Sequence, residues 1–186
     1  MRQICFLLFC LCIFSHSYGQ QPKLSKQRIE KEIEVKIPVT FSPLTPAEVA
    51  SRYLSNSTPL VVYGDQERVV DFGISKNATR WKAEDAVILK DFYKASILST
   101  YTTVKFTQEE LKEINGQQFI AFEFQSEVKD DKPNAIGRIP VVRKYTYLLY
   151  ALKNGQLYVF NFSAPGREGE QWKGTAAKMM ESIKFL

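Results

Sequence analysis

"RKYTYLLYALKNGQLYVFNFS" (Arg143–Ser163) decides the fold. Asn154-Gly155 supplies the two positive φ angles of a type I′ turn, so the flanking segments read as a β-hairpin, Arg143–Leu152 with Gln156–Ser163. Side chains alternate across a strand, which puts Tyr145, Tyr147 and Leu149 on one face and Leu148, Tyr150 and Leu152 on the other. Both faces are apolar, so both must be covered.

Working outward, a second Asn-Gly at Asn115-Gly116 joins Thr103–Ile114 to Gln117–Val128, where Ile120, Phe122 and Phe124 alternate with Ala121 and Glu123. Upstream, Ala83–Tyr101 carries the longest helical pattern. Ile88, Leu89, Phe92, Tyr93, Ser96 and Ile97 are expected on its packed side, and Lys90, Asp91 and Lys94 on its wet side. Leu60–Tyr63 and the alternating Val70, Phe72, Ile74 give another strand pair. Thr45-Pro46-Ala47-Glu48 has the form of a capping box, with proline at the first position of a short helix over Pro46–Leu54. Glu32–Ile37 alternates charged and apolar residues as a strand closed by Pro38. Glu170–Lys184 places Trp172, Ala176, Met179, Met180 and Ile183 along one helical stripe. Helices interspersed among hairpin-linked strands predict an α+β fold: an antiparallel sheet with helices on both faces.

The N-terminus narrows the chemistry. Arg2 precedes an unbroken apolar run, Ile4–Phe14, and small residues Ser17 and Gly19 follow, the order of a secretory signal peptide. The run is too short to span a bilayer, so cleavage is expected after Gly19 or Gln20, releasing a periplasmic or secreted protein. Residues 1–19 hold Cys5, Cys10, Cys12 and His16, and the rest of the chain has neither Cys nor His. The exported body therefore has no disulfides, thiol nucleophile, Ser-His-Asp triad or His/Cys-ligated zinc. No cofactor and no metal is expected.

About 167 of the 186 residues remain, enough for a single domain, 33–186, stable without disulfides. Loss of Arg2 lowers the formal charge from +5 to +4, too mild to argue for nucleic acid. The polar stretch 20–32 (QQPKLSKQRIEKE) reads as a flexible mature N-terminus or a frayed helix. A monomer without a transmembrane segment after cleavage is expected.

The order "IPVTF", a capped short helix, a hairpin, a long central helix, an "NG" hairpin, an aromatic "NG" hairpin and a closing helix ending "ESIKF" resembles the PsbP-like fold. A photosystem II extrinsic subunit, a Ran-binding nuclear import factor and exported DcrB-like bacterial proteins share it. The resemblance covers nearly all of Ile33–Leu186. It implies a six- or seven-stranded antiparallel sheet in an α/β/α sandwich, used mostly for binding or assembly. No photosystem or Ran-binding residue maps onto this chain, and a fold does not confer a function.

Four segments are candidates for a site. Lys129–Lys144, the longest aperiodic stretch, offers Asp130, Asp131, Asn134, Arg138, Arg143 and Lys144 as a partner-contact loop; its carboxylates lack calcium-loop spacing. Tyr145, Tyr147, Tyr150 and Tyr158 are candidate ligand-lining aromatics for a lipid or sugar, against the plainer reading as cross-strand core pairs. Ala164–Gly169, between a strand and a helix, occupies an anion-binding position but lacks the P-loop lysine. Glu109, Glu110 and Glu113, with Asp130 or Asp131, are the one acid–base hydrolytic device left open, although Glu109 and Glu110, adjacent in a strand, point apart. The reading that results is a non-enzymatic exported module that contacts an unidentified protein or envelope component through loops and a sheet edge. The alternative is a small-ligand carrier.

Overall fold

The computed structural model describes residues 21–52, 58–129 and 139–186. The expected leader and its cleavage point, the last residues of the first helix, and Asp130, Asp131, Asn134 and Arg138 lie outside them. In chain order the elements are β1 (Leu24–Ile29), β2 (Ile33–Pro38), β3 (Ser42–Pro43), α1 (Pro46–Arg52), β4 (Val61–Gly64), β5 (Asp71–Ala78) and α2 (Ala86–Thr100). Then follow β6 (Thr103–Ile114), β7 (Gln117–Lys129), β8 (Val141–Lys153), β9 (Gln156–Pro165), α3 (Gly169–Glu181) and β10 (Lys184–Phe185).

Seven antiparallel strands make the main sheet, in the order β3-β4-β5-β9-β8-β7-β6, so the two-faced hairpin β8–β9 sits near its middle. One face carries Phe72, Ile74, Tyr147, Leu149, Phe160 and Phe162, packed under α3 and a small sheet, β1-β2-β10. The opposite face carries Ile120, Phe122, Phe124, Tyr150 and Leu157, packed under α2. The expected α+β sandwich with helices on both faces is the observed one, with a second, three-stranded sheet added.

The turns follow their residues. Asn115 and Gly116 have φ of 49° and 78°, and Asn154 and Gly155 have 52° and 69°, as a type I′ turn requires. Asn115 does a second job: its Nδ2 donates to the carbonyls of Glu181 (3.2 Å) and Ile183 (2.8 Å), tying this turn to the end of α3. The capping box forms, with Thr45 N donating to Glu48 Oε2 at 2.7 Å and Glu48 N to Thr45 Oγ1 at 3.3 Å.

Two expectations are corrected. The stretch 20–32 is not a flexible tail: Leu24–Ile29 is β1, paired along its length with β2, so the folded domain takes in residues ahead of Ile33. It looked tail-like because β1 is an edge strand that buries only Ile29, and because its turn uses Glu30 and Lys31 at positive φ in place of glycine or asparagine. Glu32 anchors the hairpin to the main sheet, its Oε2 accepting from Lys76 Nζ (2.7 Å) and Tyr158 OH (3.0 Å).

The second correction concerns α2. Its buried residues are Ala86, Leu89 and Ile97, with Tyr93 stacked on Tyr150 at 4.0 Å. Ile88 and Phe92, expected in the core, are 62% and 57% exposed. Apolar residues run right round this helix, so periodicity alone does not choose a face. The choice falls to Glu109 of β6, which points toward α2 and takes Lys90 at 3.0 Å and Lys94 at 2.7 Å. Turning both lysines toward the sheet turns Ile88 and Phe92 away.

This assignment predicts unequal costs for neighbouring truncations. Leu89→Ala should lower unfolding free energy by about 2–5 kcal/mol, and Ile88→Ala by no more than about 0.5 kcal/mol, in chemical denaturation. Equal losses would show that Ile88 and Leu89 are packed alike.

Candidate functional site

On the same sheet face α2 lies over β6, β7, β8 and the start of β9, and leaves the Asp71 end of β5 and the Ser163 end of β9 uncovered by it. The register sets Asp71 opposite Ser163 and Gly73 opposite Asn161, with Thr146 and Leu148 of β8 beside them. A cleft of about 510 Å³ opens there, lined by Asp71, Asn161 and Ser163 of this floor and by Arg52 of α1, Val69, Val142, Arg143 and Lys144. Of the six residues of the candidate contact loop, Arg143 and Lys144 thus reach a common concavity. Arg143 Nε is held by Glu127 Oε1 at 2.6 Å, and Arg52 Nη1 donates to the Arg68 carbonyl at 2.6 Å. Asn161 Oδ1 is buried and accepts no hydrogen bond from the described residues, a condition that costs about 1–3 kcal/mol where nothing else relieves it. Arg52 and Asn161 carried no signal in the sequence, since only the strand order brings α1, β5 and β9 together.

The four aromatic candidates do not converge. Tyr145, Tyr147 and Tyr158 lie on the α3 face and Tyr150 on the α2 face, all at most 8% exposed. The alternation that makes the strands two-faced separates Tyr145 and Tyr147 from Tyr150, so no common pocket forms. The cleft beside Tyr150 is about 20 Å³, room for a single water. Tyr145 OH donates to the buried Glu123 Oε1 at 2.8 Å. Burial first, then that carboxylate, raises the phenol above its ordinary range.

The carboxylate candidates are likewise separated. Glu109 faces α2, while Glu110 takes a hydrogen bond from Gln108 Nε2 at 2.5 Å. In the Ala164–Gly169 loop the glycines serve close packing. A Cβ on Gly166 would meet Arg143 at 2.7 Å, and one on Gly169 would meet Tyr145 at 2.9 Å. Among the described residues no three Asp, Glu, His or Cys side chains gather as a metal site would require, and no helix is long and apolar enough to cross a membrane.

A second surface stands out. Val87, Ile88, Phe92 and Leu98 leave an exposed apolar stripe on the outer side of α2, with the exposed Asp91 among them. The helix packs on β6, the edge strand, whose pairing is interrupted by a bulge between Phe106 and Gln108. Bulges and charged residues such as Lys105, Glu110 and Lys112 oppose strand addition at an edge.

Comparison with protein-family models and with curated proteins finds no match. Solved structures share the fold. Cyanobacterial PsbP (CyanoP) from Synechocystis superposes with a TM-score of 0.63 at 13% identity, covering 90% of this chain and 95% of that one. The Saccharomyces cerevisiae Ran-binding protein Mog1p gives 0.50 at 12% identity, covering 88% and 95%. The chain therefore has the PsbP-like fold, reached from a resemblance in element order.

The Glu109 clamp predicts an acid-sensitive fold. The hydrogen bond from Lys94, then that from Lys90, holds its carboxyl below the usual range despite some desolvation. A lowered folded-state pKa contributes stability that is present above the ordinary carboxylate range and lost as pH falls through the lowered value. In denaturation measured against pH, Glu109→Gln should flatten that acid limb relative to the parent protein; parallel curves would show that the clamp contributes nothing.

Proposed function

We propose that this chain is an exported, non-catalytic binding module of the cell envelope, and that it docks a protein partner on the outer side of α2. The observation that carries this is the set of exposed apolar side chains Val87, Ile88, Phe92 and Leu98 on the outer side of α2. Large apolar side chains gathered on the exposed side of one helix, with Ile88 and Phe92 one turn apart, are the kind of surface that a partner covers. Asp91 selects the occupant. A carboxylate in the middle of the patch opposes insertion into lipid but complements a lysine or arginine presented by a protein. The bulged, charged edge of β6 favours docking on the helix over addition of a strand.

Absence of catalysis is supported by chemistry as well as by the fold. The exported body lacks imidazole and thiol, Glu109 is committed to two lysines, and the aromatic residues are spent on packing. Mog1p shows that a sandwich of this kind can hold a protein, although its partner does not transfer with the fold. Export rests on the leader pattern and on a folded body beginning soon after it.

A photo-crosslinking residue at position 92, introduced in the producing cell, should trap one defined protein, whereas the same residue at the exposed Arg28 should not. Asp91→Lys should weaken the purified pair at least ten-fold, about 1.4 kcal/mol. Crosslinks only to lipid, only to a second copy of the chain, or to nothing would overturn the reading. Export has its own check: intact mass of the exported protein should show a start at Gln20 or Gln21, and a chain retaining Met1 would contradict it.

A further inference from the structure

The cleft between β5, β9 and α1 lies apart from the α2 stripe and stands on different observations. We propose that it is a binding site for an anionic polyol: a small hydroxylated molecule bearing one phosphate or carboxylate, either free or as the headgroup of a lipid.

Its volume, about 510 Å³, is that of a site for a small molecule. Arg52, Arg143 and Lys144 line the cleft with Asp71, and Glu127 pairs with Arg143 beside it, which leaves an excess of one positive charge and so favours an anion. Arg143 and Arg52 are already held in place, by Glu127 and by the Arg68 carbonyl, which fixes two of the three charges without the ligand. Lys144 makes no ion pair among the described residues and is exposed, so it is the cation most available to an incoming anion.

Charge alone would take any anion. The strand floor adds a second requirement. Asn161 lines the cleft, its buried Oδ1 has no hydrogen-bond partner among the described residues, and Ser163 adds a hydroxyl to the same floor. A buried acceptor with no partner among the described residues can take a donor that a ligand hydroxyl brings to the cleft floor. Inorganic phosphate carries its P–OH donors on the anion itself, whereas a polyol places several hydroxyls away from the charge, where they can meet the floor while the anion meets the cations. Gly73, directly across the register from Asn161, adds no side chain to that floor. The α2 helix, which fills the equivalent space over β6–β8, does not reach this part of the sheet.

The probes are glycerol 3-phosphate, glucose 6-phosphate, glucose and inorganic phosphate, titrated into the exported chain and followed by calorimetry and by amide shifts at Gly73 and Ser163. The two phosphorylated polyols should bind at least ten-fold more tightly than either glucose or phosphate alone. Lys144→Gln should weaken them at least five-fold, as should Ser163→Ala, with the melting temperature unchanged. Vesicles containing phosphatidylglycerol separate the two sources. Capture that free glycerol 3-phosphate displaces identifies a lipid headgroup; binding of the free compounds with no capture identifies a soluble ligand. Either result supports the site. It is overturned if phosphate alone binds as well as its polyol esters, if no probe binds at millimolar concentration, if vesicles are captured without competition, or if Lys144→Gln changes nothing. Crosslinking at position 92 should be indifferent to that substitution, so this site and the α2 reading fail separately.

Discussion

The β8–β9 hairpin is apolar on both faces over most of its length, from Tyr145 to Leu152 and from Leu157 to Phe162. Tyr147, Leu149, Phe160 and Phe162 fill one side, Leu148, Tyr150 and Leu157 the other, and the hairpin sits near the centre of a seven-stranded sheet. A sheet apolar on one side can rest on a single layer; this one needs two. The α3 helix and the small β1-β2-β10 sheet close one side, and α2 closes most of the other. The sandwich, the position of the open cleft and the number of layers all follow from that one hairpin.

How α2 covers its side is set by charge as much as by oil. Glu109 projects from β6 into the space beneath the helix, where an unpaired carboxylate would be expensive to desolvate. Lys90 and Lys94, one turn apart, satisfy both of its oxygens while their methylene stems lie against the sheet. Tyr93, between them in sequence, then stacks on Tyr150. The helix is thereby turned so that Ile88 and Phe92 face outward. A structural ion pair and an exposed apolar surface are two results of the same rotation.

Much of this was legible from the chain. The two Asn-Gly turns, the Thr45–Glu48 cap, the stripe on α3 and the two-faced hairpin are local signals that the structure realises, except that α3 ends at Glu181 and Lys184, expected in the helix, begins β10. What escaped reading depends on distant residues. The β1 strand has little apolar content because it is an edge strand, and its turn places Glu30 and Lys31 where glycine or asparagine is usual. The face of α2 could not be chosen without knowing that Glu109 would lie beneath it. In the candidate site, Arg143 and Lys144 were found in a run of charge, but Arg52 and Asn161 join them only through the order β5-β9-β8, which no local pattern encodes. The tyrosines were conspicuous in sequence for the reason that makes them core residues: aromatic area on a strand that is covered on both sides.

The account turns on which side of α2 meets the sheet. Hydroxyl-radical footprinting of the isolated exported protein reads this directly, since oxidation tracks the exposure of individual side chains. Ile88 and Phe92 should be modified readily, while Leu89, Tyr93, Phe122 and Phe124 stay protected until the protein unfolds. Protection of Phe92 in the isolated chain, with Leu89 or Tyr93 oxidised instead, would contradict the account.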